Sequence, residues 1–137
     1  MDKRSFSILN DVTELHEMQA KLEALLEEWE LPPKAAMHLN LVLEEVVSNI
    51  IFYAYEDDRD HEISFELHKE KDEIKIRIMD DGKAFDPLSG EEFSERDKPA
   101  EERKIGGLGI HFVKELMDEV SYRRKDEKNY LYLVKKL

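Results

Sequence analysis

The sequence predicts an α+β fold of two layers, a two-layer α/β sandwich in which about five strands form one sheet and three helices cover one of its faces. Two kinds of apolar periodicity support this prediction, because segments with the period of a helix and segments with a period of two occur along the same chain. The length agrees, since 137 residues of which 41% are hydrophobic suffice for one domain with one core. We therefore expect a single domain over residues 1–137.

The first predicted elements are a strand and a helix. Residues Lys3–Leu9 alternate well enough in polarity to form a strand. Asn10 or Asp11 then supplies the N-cap of a helix that ends near Leu31, because two prolines follow. The apolar residues of this helix recur at helical spacing and predict one buried stripe: Leu15, Met18, Leu22, Leu25, Leu26 and Trp29.

A second helix and a pair of strands come next. Pro33 suits the first turn of a helix that runs to about Tyr55. The two strands, Glu62–Lys69 and Glu73–Asp80, carry large apolar side chains at every second position and are joined through a charged turn. This pattern is typical of a sheet that packs on one face and meets water on the other.

The least regular part of the chain precedes the third helix. Periodicity disappears from about residue 88 to residue 104, and we expect a loop there, because connections of such length in small domains tend to be lids or binding elements. Regular structure resumes with a helix from Leu108 to about Asp118. Strands near Glu119–Arg124 and Tyr130–Lys135 then complete the sheet across the polar turn Lys125–Asn129.

The composition restricts the partners of the protein. A formal net charge of −12 repels phosphate backbones and anionic lipids, so we expect no direct binding to nucleic acid or membranes. The acidic excess either steers a basic protein partner or keeps the domain soluble. The absence of cysteine excludes disulfides, thiolate zinc sites and cysteine nucleophiles. Because no apolar run is long enough for a secretory signal or a membrane span, we expect a cytoplasmic protein.

The first of four candidate motifs lies on the second predicted helix. Glu45 and Asn49 are four residues apart and therefore share one face, at the border of the apolar stripe. Asn49 can offer its carbonyl oxygen to Mg²⁺, which prefers oxygen ligands. Glu45 could orient or deprotonate a hydroxyl group near a terminal phosphate. Glu44 is also available, so the spacing alone leaves the choice of carboxylate open.

Two further motifs follow the strand that ends at Asp80. The carboxylate of Asp80 can accept a hydrogen bond from an exocyclic amine, and Gly82 lets a flat base approach the backbone. Taken alone, this pair could equally form a plain turn. The stretch Phe85-Asp86-Pro87 places an aromatic side chain and a second turn directly after it.

The fourth motif, Gly106-Gly107-Leu108-Gly109, opens the third predicted helix. Unpaired backbone N–H groups and the positive end of the helix dipole lie at such a position, and glycines let phosphate oxygens reach them. The spacing matches neither the Walker pattern nor the Rossmann pattern. The motif therefore predicts an anion site or, alternatively, a glycine-rich hinge at the end of the loop.

In this order, the four motifs resemble those of the GHKL ATPases and, among them, of the small bacterial anti-sigma-factor serine/threonine kinases that pair with anti-anti-sigma (STAS) proteins. Leu43–Asn49 resembles the N box of that family, residues 80–87 its first glycine box, and Gly106–Gly109 its second. The resemblance covers nearly the whole chain. It implies a Bergerat-type fold in which residues 88–104 are the ATP lid.

The resemblance also implies a role for each motif. It implies that Asn49 binds Mg²⁺, that Glu45 is the base toward a substrate serine or threonine, and that Asp80 and Gly82 hold the adenine of ATP. The further cofactor contacts that it implies are Phe85, Gly106, Gly107, Leu108 and Gly109. It implies a STAS protein as substrate, a sigma factor or other regulatory protein as target, and a possible homodimer through the first strand and helix.

Our leading hypothesis is an ATP-dependent anti-sigma-factor kinase that phosphorylates a STAS partner. The alternative is a nucleotide-gated module that switches partners without phosphoryl transfer. Two departures from the family motivate this alternative. The first is that Ile105 stands where some relatives have an arginine. The second is that the last strand has no threonine for the usual adenine-side contact, and Tyr132 falls near that place. A structural domain that binds no nucleotide is a third possibility.

Overall fold

Five antiparallel strands form one sheet in the computed structural model of the protein, which describes residues 2–86 and 109–137. The strands are β1 (Asp2–Leu9), β2 (Glu62–Lys69), β3 (Glu73–Asp80), β4 (Glu119–Lys125) and β5 (Lys128–Lys136). Their order across the sheet is β1-β2-β3-β5-β4, so β3 lies at the centre and its last residue is the Asp80 of the second motif. The α+β prediction of about five strands with three helices is confirmed.

The three helices of the described residues are α1 (Val12–Glu28), α2 (Pro33–Tyr53) and α3 (Gly109–Leu116). Asp11 is the N-cap of α1, because its side chain accepts a hydrogen bond from the backbone N–H of Thr13 at 3.0 Å. The helix ends three residues before the predicted Leu31, since Glu30 has a φ of 53° and turns the chain out of the helix. The prediction that α3 begins at Leu108 falls on a residue outside the described ranges.

The core lies between the helices and the sheet. Alternate residues of β2, β3 and β5 are buried, as the period of two predicts: Ile63, Phe65, Leu67, Ile74, Ile76, Ile78, Leu131 and Leu133. Helix α2 is long and apolar enough to cross a membrane by length and composition, but the core helix of a globular domain passes the same test. Leu39, Leu43 and Val47 of this helix are completely buried in the core.

The turn between β4 and β5 differs from the prediction. The two strands stay paired as far as Lys125 and Lys128, so that only Asp126 and Glu127 form the turn. Both turn residues have positive φ, 51° and 63°, as a two-residue hairpin with the right-handed twist of a sheet requires. The predicted turn Lys125–Asn129 was too long, because Glu127 is not a residue that favours this conformation.

Candidate functional site

A cavity lies between α2, the centre of the sheet and α3. Its apolar lining is Val46, Ile50, Ala54, Ile78, Val113 and Leu131, and the remaining lining residues are Asn49, Asp80, Lys83, Phe85, Tyr122 and Asn129. The fold thus brings Asn49, Asp80 and Phe85, which belong to three different predicted motifs, to one site. A mostly apolar cavity with a few polar groups is the usual form of a small-molecule site.

Asp80 is the buried acid of this cavity, with only 5% of its surface exposed. Its Oδ1 accepts hydrogen bonds from the backbone N–H of Gly82 at 2.9 Å and from Nδ2 of Asn129 at 3.0 Å. Burial raises the pKa of Asp80, and these two donors oppose that rise. No donor of the described residues reaches Oδ2, which leaves an acceptor for a ligand at the edge of the cavity.

Gly82 is required by its neighbours in the fold. A Cβ atom at this position would lie 2.5 Å from Cβ and 2.7 Å from the carbonyl oxygen of Ala54. That same carbonyl oxygen accepts a hydrogen bond from the backbone N–H of Lys83 at 2.9 Å, and Arg124 donates to the carbonyl oxygen of Gly82 at 2.7 Å. The space that a side chain at position 82 would need is therefore filled by the chain that follows α2, and the predicted contact of Gly82 with a base stays a prediction.

Asn129 is a site residue that sequence reasoning missed. Besides Asp80, its Nδ2 donates to the carbonyl oxygen of Lys83 at 2.9 Å, and its Oδ1 accepts from the hydroxyl of Tyr122. The buried residue Asn129 faces Asp80 across the β3–β5 register. It thereby fixes both the acid and the backbone that follows it.

The expectation that Tyr132 falls at the adenine-side position was wrong. Side chains alternate along β5, and the residues on the helix side are Asn129, Leu131 and Leu133. Tyr132 lies on the other face, where its ring stacks with Tyr130 at 6.4 Å between centroids. The sequence itself shows leucines at every second position, 131 and 133, and Asn129 continues the same alternation. This alternation was the signal that could have assigned Asn129 to the cavity side of the strand.

Glu45 and Asn49 lie one turn apart on α2. Oε1 of Glu45 is buried and has no hydrogen-bond partner among the described residues. Burial is the main cause that raises the pKa of Glu45; the negative charge of Glu44 adds to it and Asn49 opposes it. Glu44 itself is exposed, which favours Glu45 in the choice that the spacing left open.

The glycine motif is described only at its end. Gly106, Gly107 and Leu108 lie outside the described residues, as do Pro87 and the loop predicted over residues 88–104. Gly109 is the first residue of α3. Val113, one turn later, lines the cavity, so the helix that this motif was predicted to open does begin beside the site.

The antiparallel sheet, the helices on one face and an acid at the end of the central strand define a GHKL-type ATPase domain. Family comparison agrees over nearly the whole length. The chain belongs to the family of histidine kinase-like ATPase domains, whose profile matches residues 8–135.

Curated relatives indicate which proteins within this family the chain resembles. Serine-protein kinase RsbW of Listeria innocua is 32% identical over 90 residues, which are 64% of this chain and 57% of that protein. Serine/threonine-protein kinase BtrW of Bordetella bronchiseptica is 27% identical over 95 residues, 69% of this chain and 66% of that protein. These matches confirm the resemblance to the anti-sigma-factor kinases of the GHKL group. The chain spans little more than half the length of RsbW.

The fold has a counterpart among solved structures. The crystal structure of the RsbU and RsbW domains of Rv1364c from Mycobacterium tuberculosis superposes with a TM-score of 0.73 and 12% identity. The superposition covers 100% of this chain and 33% of that chain. At this identity the likeness shows the fold alone.

Proposed function

We propose that the protein is an ATP-dependent serine/threonine kinase that phosphorylates a STAS-type anti-anti-sigma protein and sequesters a sigma factor. The observation that carries the proposal is the meeting of Asp80 with Asn49 at one cavity. Glu45 lies one helical turn before Asn49, and both Asp80 and Glu45 have a raised pKa. Similarity to proteins named serine-protein kinase RsbW and serine/threonine-protein kinase BtrW supports the same chemistry.

The adenine end of the cavity fits the base of ATP. The exocyclic amine of adenine needs an acceptor, and Oδ2 of Asp80 is one that no described donor occupies. The apolar lining contributed by Ile78 and Leu131 suits the faces of the ring. We assign Phe85, which also lines the cavity, to the same end.

The α2 side of the cavity fits magnesium and phosphate. The amide of Asn49, which lines the cavity, has a carbonyl oxygen of the type that Mg²⁺ prefers as a ligand. Bound Mg-ATP would supply the phosphoryl group for transfer. We assign backbone contacts with the phosphates to the segment Gly106–Gly109, because Gly109 starts a helix beside the cavity.

Glu45 is the residue that we assign to proton transfer. Its Oε1 is buried without a hydrogen-bond partner in the described part of the chain and can accept the proton of a substrate hydroxyl group. A carboxylate whose pKa is raised toward neutrality is a better base than an exposed one, since burial weakens the solvation of its charge. The product carboxylic acid would be neutral, which a half-buried position tolerates.

The partners and location of the protein belong to the same proposal. A cytoplasmic kinase of this kind would bind a sigma factor and a STAS protein, and β1 lies at an edge of the sheet, where a second copy could pair with it. Sedimentation that shows only a monomer at working concentration would contradict the homodimer.

The Glu45→Gln variant tests the proposal. We expect it to bind Mg-ATP within about threefold of the wild-type affinity, because the amide keeps the shape of the side chain, while phosphorylation of a STAS protein falls about 10²- to 10⁴-fold. Calorimetry measures the affinity, and mass spectrometry of the partner measures phosphoserine or phosphothreonine.

The exposed neighbour gives the matched control, since Glu44→Gln removes a similar charge and should transfer phosphate nearly as well as the wild type. Equal transfer by wild type and Glu45→Gln would contradict the role of Glu45. Nucleotide binding by the wild type without phosphorylation of the STAS protein would favour a nucleotide-gated module instead, as the departure at Ile105 suggested.

A further inference from the structure

A histidine lies between two aspartates beside the adenine end of the cavity. Nε2 of His61 is 2.7 Å from Oδ1 of Asp57, and its Nδ1 is 3.1 Å from Oδ1 of Asp81. The ring stacks on Tyr55 with 4.2 Å between centroids and 14° between planes, and the histidine side chain is only 15% exposed. We call His61, Asp57 and Asp81 the histidine clamp.

The backbone of His61 is fixed independently of its ring. Its N–H donates to Oδ1 of Asn10 at 2.9 Å, and its carbonyl oxygen accepts from the N–H of Asn10 at 3.0 Å. Asn10 lies directly after β1, and β2 begins directly after His61. The imidazole ring therefore projects from a rigid part of the fold toward two carboxylates on separate loops.

Only the charged form of His61 satisfies both carboxylates. A neutral imidazole has one N–H donor and one acceptor nitrogen, so one aspartate would face a lone pair. The hydrogen bond to Asp57 raises the pKa of His61 most, burial opposes the rise, and Asp81 adds to it. Three other titratable groups of the described residues lie around the clamp. Tyr55 is stacked on the ring, and Asp80 precedes Asp81 and interacts with its charge. The backbone N–H and the charge of Arg59 both favour ionised Asp57.

The clamp joins two segments that form the adenine end of the cavity. Asp81 lies between Asp80 and Gly82, the acid and the glycine of the second motif. Asp57 lies three residues after Ala54, which lines the cavity. Ala54 also packs against Gly82, and its carbonyl oxygen accepts a hydrogen bond from the backbone N–H of Lys83. Tying Asp57 to Asp81 through one cation therefore holds the segment after α2 against the turn after β3.

We propose that protonated His61 is a positioning residue for nucleotide binding, holding these two segments together so that Asp80 is correctly placed for adenine. This inference rests on the proposed nucleotide site. Because the folded protein holds the proton more tightly than the unfolded chain, the clamp is complete below about pH 6.5 and is lost as the pH rises through the pKa of folded His61. Nucleotide affinity falls over the same rise.

Calorimetry of Mg-ATP binding between about pH 6 and about pH 9 tests the inference. For the wild type we expect the affinity to fall about tenfold with rising pH, a coupling of ordinary size. His61→Asn should bind about tenfold more weakly at the low end and show no such fall. His61→Arg keeps a permanent cation between the two carboxylates and should bind well at every pH.

His68→Asn is the matched control, because His68 is also paired with a carboxylate, Glu66, at 2.7 Å, but lies on the face of β2 turned away from the helices. Its profile should match the wild type. Titration of the nucleotide itself is common to all four proteins and cancels in the comparison. A His61→Asn profile identical to that of the wild type would overturn the inference.

Histidine NMR of the wild type gives a second readout that needs no variant to fold. By linkage, a tenfold loss of affinity on deprotonation requires the pKa of His61 to rise by about one when nucleotide binds. An unchanged pKa on binding would overturn the inference.

If the wild type binds no nucleotide at any pH, the proposed site fails, and the inference about nucleotide affinity fails with it. A raised pKa in the free protein would then show only that the clamp exists.

Discussion

Asp80, which lines the cavity, and Glu45, one helical turn before the lining residue Asn49, both have a raised pKa but lie in different surroundings. Burial raises the pKa of both. Asp80 is met by two N–H donors fixed in the fold, from Gly82 and Asn129, whereas Oε1 of Glu45 is buried without any described partner. The difference teaches that the proposed adenine end is built before a ligand arrives, while Glu45 on α2 keeps an acceptor that no described residue satisfies.

This contrast also fixes the sign of each acid's effect on folding. A carboxyl group whose pKa is raised in the folded protein stabilises the fold only while it is protonated, and that contribution is lost as the pH rises through the folded pKa. Above the folded pKa, the ionised forms of Asp80 and Glu45 therefore weigh against folding. Neutral amides at these positions should cost function without costing stability.

The Gly82→Ala variant should have the largest effect and break the adenine end alone. The added methyl group would lie 2.5 Å from Cβ and 2.7 Å from the backbone oxygen of Ala54, neither of which is the end of a flexible side chain. We expect the free energy of unfolding to fall by about 3 kcal/mol, as overpacking of a closed site does. Chemical denaturation measures it.

A second substitution shows whether the contact with Ala54 is the cause. Ala54→Gly removes the methyl group but not the carbonyl oxygen, so the double variant should recover only part of the lost stability. Full stability of Gly82→Ala by itself would show that the segment after α2 can move away, and the adenine end would not be preformed.

How far the sequence could predict these features depends on whether the interactions are local in the chain or join distant parts of it. The bounds of β2 and β3 were predicted correctly, because a period of two and a charged turn are local signals. Asn129 could not be assigned to Asp80 in the same way, since their pairing depends on the β3–β5 register between distant parts of the chain. The contact between Ala54 and Gly82 depends likewise on tertiary packing.

The Asp80→Asn variant should sharpen the comparison by separating recognition from stability. The asparagine can keep accepting from Gly82 and Asn129 at one atom, but it then presents an N–H group where adenine also presents a donor. Losing a hydrogen bond to a charged group is worth about 2 kcal/mol, so ATP affinity should fall about 30-fold. Calorimetry measures the affinity.

The stability of the Asp80→Asn variant should not decrease along with its ATP affinity. Because the variant removes a buried carboxylate, its free energy of unfolding should not fall and is expected to rise by roughly 1 kcal/mol at neutral pH. Glu45→Gln is the counterpart that keeps ATP affinity and loses phosphoryl transfer. Two variants that lost the same function would erase the distinction between the two acids.

The Tyr122→Phe variant probes how much of the preformed geometry depends on the second partner of Asn129. The phenol donates to Oδ1 of Asn129, while the hydrogen bonds from Nδ2 to Asp80 and to the carbonyl oxygen of Lys83 also orient the amide. Its removal should lower the free energy of unfolding by about 1 kcal/mol, the net value of one hydrogen bond, and ATP affinity by less than about threefold. Tyr132→Phe, on the other face of the sheet, should change neither. If Tyr122→Phe instead weakened ATP binding as much as Asp80→Asn does, the amide would depend on the phenol for its orientation, and the adenine end would be far less rigid than its donors suggest.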